Sequence, residues 1–133
     1  MFERSNLARR DGVWPNRAAR VERVRTHLGD PASWFVVASD GAELVAMASA
    51  APLRGHDRGC FLAYLFVVPE RWGEGIGGAV LDAALGEAKR RGSSRVHLWT
   101  HEDNERSHRL YRSAGFSPTG RTANGEAEWA REL

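Results

Sequence analysis

The sequence predicts an α+β fold: one domain over residues 1–133, in which helices flank a mixed, mostly antiparallel sheet of about six strands in an α/β/α sandwich. A length of 133 residues suits a single domain, and a hydrophobic share of 42% is close to the average for globular proteins. Helical and strand-like patterns follow one another in the order α-β-β-β-α-β-α-β-β. That order predicts a mixed sheet with helices.

The first half of the chain predicts one helix and three strands. Asn16 can cap the helix, whose apolar face carries Ala18, Val21, Val24 and Leu28. Residues 34–38 and 43–51 have the composition of strands separated by a turn. The almost unbroken apolar run over residues 60–68 predicts a buried central strand.

The second half predicts two helices, a strand and a hairpin. Residues 76–92 form the first helix, with an apolar stripe made of Val80, Leu81, Ala84, Leu85 and Ala88. Residues 95–100 follow as a strand. Asn104 can cap the second helix, and Gly115 can end it. The last two strands flank Asn124-Gly125, the strongest hairpin signal in the chain.

Charge and cysteine content exclude several classes of protein. The net charge is +2, and its positive excess lies in residues 1–25, where acidic residues are interspersed with the arginines. This pattern favours a solvated helix face over nucleic-acid binding. The single cysteine, Cys60, forms no intramolecular disulfide. No apolar run approaches the roughly 20 residues of a membrane span, and the N-terminus lacks a signal-peptide pattern, so we expect a soluble, cytoplasmic protein.

A glycine-rich turn between the central strand and the next helix is the most informative segment. Residues 69–78 read Pro-Glu-Arg-Trp-Gly-Glu-Gly-Ile-Gly-Gly. Glycines let a ligand approach the backbone closely, and amides at a helix N-terminus attract anions together with the helix dipole. A tight strand-to-helix corner is the alternative, but the four glycines of residues 73–78 exceed what a corner needs. The turn therefore predicts a phosphate site without a lysine.

Two other phosphate-binding motifs fit this turn less well. Gly73-x-Gly75-x-x-Gly78 matches the dinucleotide fingerprint in spacing, with Glu102 or Asp103 downstream. That fingerprint belongs to the first turn of a repeated βαβ unit, whereas three predicted strands and a helix precede this turn. A P-loop is excluded because no Gly-Lys-Ser/Thr follows.

Two segments separated by one helix and one strand carry a recognisable pair of motifs. Residues 104–116 fit N-x-x-A-x-x-L-Y-x-x-x-G-F, with Ser107 at the alanine position as the mismatch. Residues 67–77 read V-x-P-x-x-W-G-x-G-I-G. In this order the two segments resemble the signature and the acetyl-CoA motif of the GCN5-related N-acetyltransferase (GNAT) family, in which Gln or Arg is usual at the position of Trp72.

The resemblance covers roughly residues 34–131 and implies an acyl-CoA N-acyltransferase-like fold. That fold normally opens with a strand, whereas residues 1–14 show no strand pattern. We therefore expect the first strand to be missing or remodelled.

The resemblance also implies acetyl-CoA as the acyl donor. In this family the amides of the turn bind the coenzyme A pyrophosphate, here those of Gly73, Glu74, Gly75, Ile76, Gly77 and Gly78. The preceding strand pairs with pantetheine through its backbone, by analogy at Leu65, Phe66 and Val67. Asn104 corresponds to a residue that contacts the cofactor, and it can cap its helix at the same time.

Tyr111 stands at the position of the family's general acid. Transfer of acetyl to an amine expels a thiolate, and a phenol with a pKa near 10 can protonate it while staying neutral at pH 7. Packing beside Leu110 is the alternative role of this side chain. No general base is singled out, because His101, Glu102 and Asp103 all follow the strand and a water relay is an equal alternative.

We expect no metal site. His97 and His101 share a strand face but lie roughly 13 Å apart at 3.3 Å per residue, too far to chelate one ion. Cys60 with His56 is an equally poor site, and Cys60 is expected to be a small buried residue rather than an acyl carrier. The tryptophans are expected to be core or interface aromatics, namely Trp14, Trp34, Trp99 and Trp129.

The expected activity is acetyl-CoA-dependent N-acetylation of a primary amine by direct transfer in a ternary complex. The alternative is a non-catalytic acyl-CoA-binding or regulatory domain, because no base is evident. The acceptor is a small-molecule amine or a protein amino group, and the sequence does not choose between them. The resemblance also implies a homodimer, with the C-terminal hairpin as a candidate surface.

Overall fold

One six-stranded sheet organises the chain in a computed structural model that describes residues 17–53, 55 and 58–133. The elements are α1 (Arg17–Gly29), β1 (Trp34–Asp40), β2 (Glu43–Pro52), β3 (Gly59–Val67), a 3₁₀ turn (Pro69–Arg71), α2 (Ile76–Arg90), β4 (Arg95–His101), α3 (Glu105–Ser113), β5 (Ser117–Ala123) and β6 (Glu126–Glu132). The predicted element order and the α+β class are confirmed. The Asn16 cap and the missing first strand lie outside the described residues.

The sheet is antiparallel except at its centre. Its strand order is β1-β2-β3-β4-β6-β5, and β3 runs parallel to β4 because α2 carries the chain over between them. The pair β5–β6 is the predicted hairpin, and its turn residues Asn124 and Gly125 have φ of 52° and 78°. Positive φ at both central residues is the geometry that an Asn-Gly hairpin turn requires.

The main hydrophobic core lies on the face of the sheet that α2 covers. The predicted helix stripe is buried as expected, at Val80, Leu81, Ala84, Leu85 and Ala88. These side chains belong to a buried cluster that includes Trp34, Leu62, Val96, Leu98, Tyr111, Phe116 and Trp129. Burial of this stripe is what holds the parallel pair β3–β4 against its crossover helix.

Helix α1 covers the opposite face of the sheet. The Nε2 atom of His27 lies 2.5 Å from Oγ of Ser49 on β2, and the His27 ring contacts Tyr64 on β3 edge-to-face. On the predicted apolar face of this helix, Val24 is buried, whereas Leu28 near the C-terminal end is exposed. Among the described helices, none is both long and apolar enough to cross a membrane.

Candidate active site

A cleft opens where the two parallel strands at the centre of the sheet separate. β3 and β4 are paired only from Gly59–Arg95 to Leu62–Leu98, and beyond that point the strands diverge. The resulting cavity has a volume of about 700 Å³. Its walls are the diverging strand ends, the glycine-rich turn and the inner side of α3, so the fold places the sequence-predicted residues, except Glu74, around a single opening.

The backbone of β3 presents two residues to this cleft. The Val68 amide donates to the Val45 carbonyl at 2.9 Å, and peptide groups alternate in direction along an antiparallel pair. The N–H and C=O groups of Leu65 and Val67 therefore point away from β2 and towards the cleft. Those of Phe66 point towards its partner Met47 on β2, and Phe66 reaches the cavity with its ring.

The glycine-rich turn forms the far end of the cleft. Gly73 and Gly75 have φ of 85° and 83°, a region that other L-residues rarely adopt, and Gly75 is the residue that precedes the first turn of α2. A Cβ at either position would meet no atom within 4 Å, so the described residues leave the space beside these two glycines open. The amides of the first helical turn have no intrahelical partner and are available to an anion.

The side chain of Glu74 plays a different part from the glycines around it. It accepts a hydrogen bond from Arg71 Nε at 2.9 Å, and Arg71 also binds Asp40 at 3.0 Å. Hydrogen bonds to Glu74 and Asp40 raise the pKa of Arg71. Among the described residues of the turn, Glu74 is the predicted binding residue that does not line the cavity.

Trp72 has one contact at the Nε1 edge of its indole ring and another over a face of that ring. Its Nε1–H donates to the Val67 carbonyl at 2.8 Å, and the guanidinium of Arg106 on α3 lies 4.0 Å from its ring centroid. A cation over an indole face at this distance is attractive. Trp72 thus ties the turn to both β3 and α3. The sequence did not indicate Arg106, because nothing local relates a position on α3 to the turn.

Helix α3 supplies the two predicted side chains of the opposite wall. Asn104 precedes the helix, and its Oδ1 accepts a hydrogen bond from the Ser107 amide at 3.3 Å, which confirms its capping role. Tyr111 is buried beside Phe116, with ring centroids 5.8 Å apart, and both Asn104 and Tyr111 line the cavity. Burial raises the pKa of Tyr111 to about 12, so its phenol is neutral near pH 7.

The end of the cleft opposite the glycine-rich turn, called the near end below, is lined by side chains from the α1 face of the sheet. They are Arg23, Tyr64, Trp99, His101 and Glu126. Trp99 is 38% exposed and borders the opening, so it is not a core residue. Trp34 and Trp129 are buried as expected, and Trp14 lies outside the described residues.

Comparison with known families agrees with this geometry. A family model described as the acetyltransferase (GNAT) family matches residues 2–116. The chain belongs to the GNAT family. Its glycine-rich turn and its α3 segment are thus GNAT motifs, and their arrangement around the divided sheet is that of a GNAT domain.

Relatives of this GNAT chain include uncharacterized N-acetyltransferases of Mycobacterium bovis and Mycobacterium tuberculosis. Each is 31% identical over 98 residues, a match that covers 74% of this chain and 62% of the relative. The chain therefore spans less than two-thirds of the length of these relatives.

Two solved structures show the same fold. The PaiA N-acetyltransferase of Thermoplasma acidophilum, in complex with coenzyme A, has a TM-score of 0.80 at 15% identity, covering 98% of this chain and 87% of that one. An aminoglycoside 6′-N-acetyltransferase complexed with coenzyme A has a TM-score of 0.76 at 22% identity, covering 97% and 88%. At these identities the likeness supports the GNAT fold.

The described residues offer no other reactive centre of the kinds considered from the sequence. They contain no group of three or more His, Cys, Asp or Glu side chains arranged to hold a metal ion. Cys60 is a free, buried thiol, as expected, and burial raises its pKa. A buried, protonated thiol is a poor nucleophile.

Proposed function

We propose that this GNAT chain is an acetyl-CoA-dependent N-acetyltransferase that transfers the acetyl group directly to a primary amine in a ternary complex. The observation that carries the proposal is the convergence on one cleft of the cleft-facing peptide groups of β3, the glycine-rich turn and Tyr111. Membership of the family supports it, as do the coenzyme A complexes of PaiA and of the aminoglycoside 6′-N-acetyltransferase.

The donor would be held mainly by main-chain groups. The amides of Gly73 to Gly78 meet the pyrophosphate at the positive end of the α2 dipole. The peptide groups of Leu65 pair with pantetheine, and Val67 contributes its N–H, because its carbonyl already accepts from Trp72. Asn104 lies where it can contact the donor while capping α3. Phe66 contributes an apolar wall through its side chain.

Tyr111 is the proposed general acid. Attack of the amine on the thioester carbonyl forms a C–N bond and breaks the C–S bond, and the thiolate then needs a proton. The raised pKa keeps the proton on the phenol until a thiolate develops beside it. Tyr111 first stabilises that charge as a hydrogen-bond donor and then supplies the proton.

The burial of the single cysteine supports direct transfer over an acetyl-cysteine intermediate. Cys60 is the single cysteine in the sequence, and it is 1% exposed. An acetyl-cysteine intermediate at this position would need both exposure and a thiolate, and the structure provides neither. In the proposed reaction the acceptor amine enters the same cleft while the donor is bound.

The first experiment measures binding and transfer separately. Acetyl-CoA at a hundredfold excess over its Kd should stabilise the protein by about 2.7 kcal/mol, detected as a raised Tm. Thiol release is then followed with a panel of primary amines: an amino acid, a polyamine, an aminoglycoside and a peptide with a free N-terminus. A Tm unchanged by acetyl-CoA would refute the proposal. Binding without thiol release from any amine would instead support the acyl-CoA-binding domain.

A Tyr111→Phe variant tests the mechanism. It keeps the ring packed on Phe116 and removes only the hydroxyl, so the acetyl-CoA-induced rise in Tm should stay unchanged. The turnover number should fall by roughly 10²- to 10⁴-fold, the usual contribution of general acid–base catalysis. An unchanged turnover number would exclude Tyr111 from the chemistry.

A further inference from the structure

His101 and Glu126 form a pair at the near end of the cleft. They are directly opposite each other in the β4–β6 ladder, and His101 Nε2 lies 3.6 Å from Glu126 Oε1. Both side chains line the cavity and both keep access to solvent, with exposed fractions of 26% and 38%. A histidine beside a carboxylate in a wet cleft has the chemistry of an oriented proton acceptor.

The pair lies on the opposite side of the sheet from Tyr111. Side chains alternate along β4, and Leu98 points into the core cluster that also contains Tyr111. His101, three residues further on, therefore points to the other face, where α1 and Tyr64 lie. The cleft passes between the strands, so an acid on one face and a base on the other flank the position of the thioester.

The two competing carboxylates lie outside this arrangement. Among the described residues, neither Glu102 nor Asp103 lines the cavity. The Glu102 amide donates to the Gly125 carbonyl at 2.9 Å, and the Asp103 carbonyl accepts from the Glu105 amide at 3.1 Å. Both residues are therefore part of the turn that leads into α3. Of the three candidates that the sequence left open, only His101 faces the cleft.

The backbone of His101 is held in place by α3. Nε2 of His108 donates to the His101 carbonyl at 3.0 Å, and the His108 ring stacks on Trp129 with centroids 5.2 Å apart. His108 is buried, so this contact is shielded from solvent. A fixed strand end is what a catalytic group needs, because small displacements of such a group are costly.

We propose that His101 is the general base of the transfer and that Glu126 positions it; this inference rests on the proposed acetyltransferase function. His101 takes a proton from the acceptor nitrogen as the C–N bond forms. The C–S bond breaks, and Tyr111 gives its proton to the coenzyme A thiolate. His101 then releases its proton to solvent, from which Tyr111 recovers one. The balance is amine plus acetyl-CoA giving amide plus coenzyme A thiol.

The charge around His101 determines how the reaction should depend on pH. Glu126 is the ionisable group opposite it, and its carboxylate stabilises the imidazolium form. Among the described residues, the other titratable or charged side chains on the elements around this end of the cleft include His97, Glu128, Arg121, Arg23, Tyr64, Tyr111 and His108. Glu128 is occupied with Arg121 and Thr119, whereas Glu126 contacts His101 directly.

The experiment compares three variants in thiol release, using the fastest amine of the panel. His101→Gln removes the base, Glu126→Gln removes the carboxylate, and Glu132→Gln is the matched control at the exposed far end of the same strand. Far-UV circular dichroism and the acetyl-CoA-induced rise in Tm establish that each variant folds and binds the donor. His101→Asn is a second variant in case the glutamine disturbs the strand.

We expect His101→Gln to lower kcat/KM by about 10²-fold or more at about pH 8, with the deficit shrinking towards about pH 5.5 as the wild-type imidazole becomes protonated. Glu126→Gln should move the acidic limb of the rate profile to lower pH, because the imidazolium loses a neighbouring negative charge. Glu132→Gln should match the wild type.

Any other outcome contradicts a specific part of the proposal. A purely structural role would lower the rate equally at every pH, and that result, or an unchanged rate in His101→Gln, would overturn the assignment of the base. An unshifted profile in Glu126→Gln would remove Glu126 from the proposal. A wild-type protein that releases no thiol with any amine would refute the proposed function itself, which distinguishes that failure from failure of the base.

Discussion

Two glycines of the same turn should respond in opposite directions to the same substitution. Gly75 has φ of 83°, whereas Gly77 lies inside α2 with an ordinary helical backbone. An added methyl group at Gly75 meets no atom within 4 Å. At Gly77 it meets Leu110 Cδ2 and Val67 Cγ2 at 3.6 Å, which is normal van der Waals contact. Neither alanine clashes, so backbone conformation determines the sign of each effect.

The magnitudes follow from that difference. A left-handed conformation costs an L-residue roughly 1–2 kcal/mol, partly offset because alanine reduces the conformational entropy of the unfolded chain by about 0.4–1 kcal/mol. Gly75→Ala should therefore lower the free energy of unfolding by about 1 kcal/mol, a fall in Tm of about 4 °C for a domain of this size. Gly77→Ala should raise the free energy of unfolding by about 0.5 kcal/mol, because alanine is a better helix former than glycine.

Urea unfolding followed by far-UV circular dichroism gives both values. The slope of the free energy against urea should be the same in both variants, so that the midpoint alone reports the change. Equal midpoints for Gly75→Ala and wild type would show that the turn adopts another conformation in solution. A destabilised Gly77→Ala would show that Val67 and Leu110 pack more tightly against the helix than their distances imply.

Two further predictions concern the core and α1. Leu81→Ala should lower the free energy of unfolding by about 3–5 kcal/mol, because Leu81 is fully buried and α2 cannot collapse into the space; a loss below about 1 kcal/mol in urea unfolding would contradict this. Burial lowers the pKa of His27 from 6.5 in the folded protein. Below pH 6.5 the unfolded chain therefore binds more protons than the folded chain does. Stability should therefore decrease from pH 6.5 downwards, and His27→Gln, compared by the same measurement, should show a weaker dependence over that window.

Most of the local structure of the site could be predicted from the sequence. The strand before the turn, the stripe on α2, the Asn104 cap and the Asn124-Gly125 hairpin each depend on residues within a few positions of one another. Propensity, capping and turn geometry act over that range, so the printed sequence contains the whole signal. The glycine-rich turn is of the same kind, because positive φ and free helical amides are local properties.

The composition of the near end of the cleft could not be predicted in this way. Glu126 meets His101 because β6 is inserted between β4 and β5, and Arg106 reaches Trp72 because α3 packs beside the turn. Trp99 is exposed because the pairing of β3 with β4 stops at Leu62–Leu98, before either strand ends. Each of these contacts depends on which distant segments pair and in what register.

The sequence by itself therefore predicted the family motifs, the order of the elements, and the residues proposed to bind the pyrophosphate and to protonate the thiolate. The tertiary structure decided which of three candidate bases faces the cleft, which backbone groups of β3 point towards the cleft, and which residues Trp72 contacts. The physical reason is that strand pairing is chosen by the burial of the whole core, a property of the complete chain that no short pattern contains.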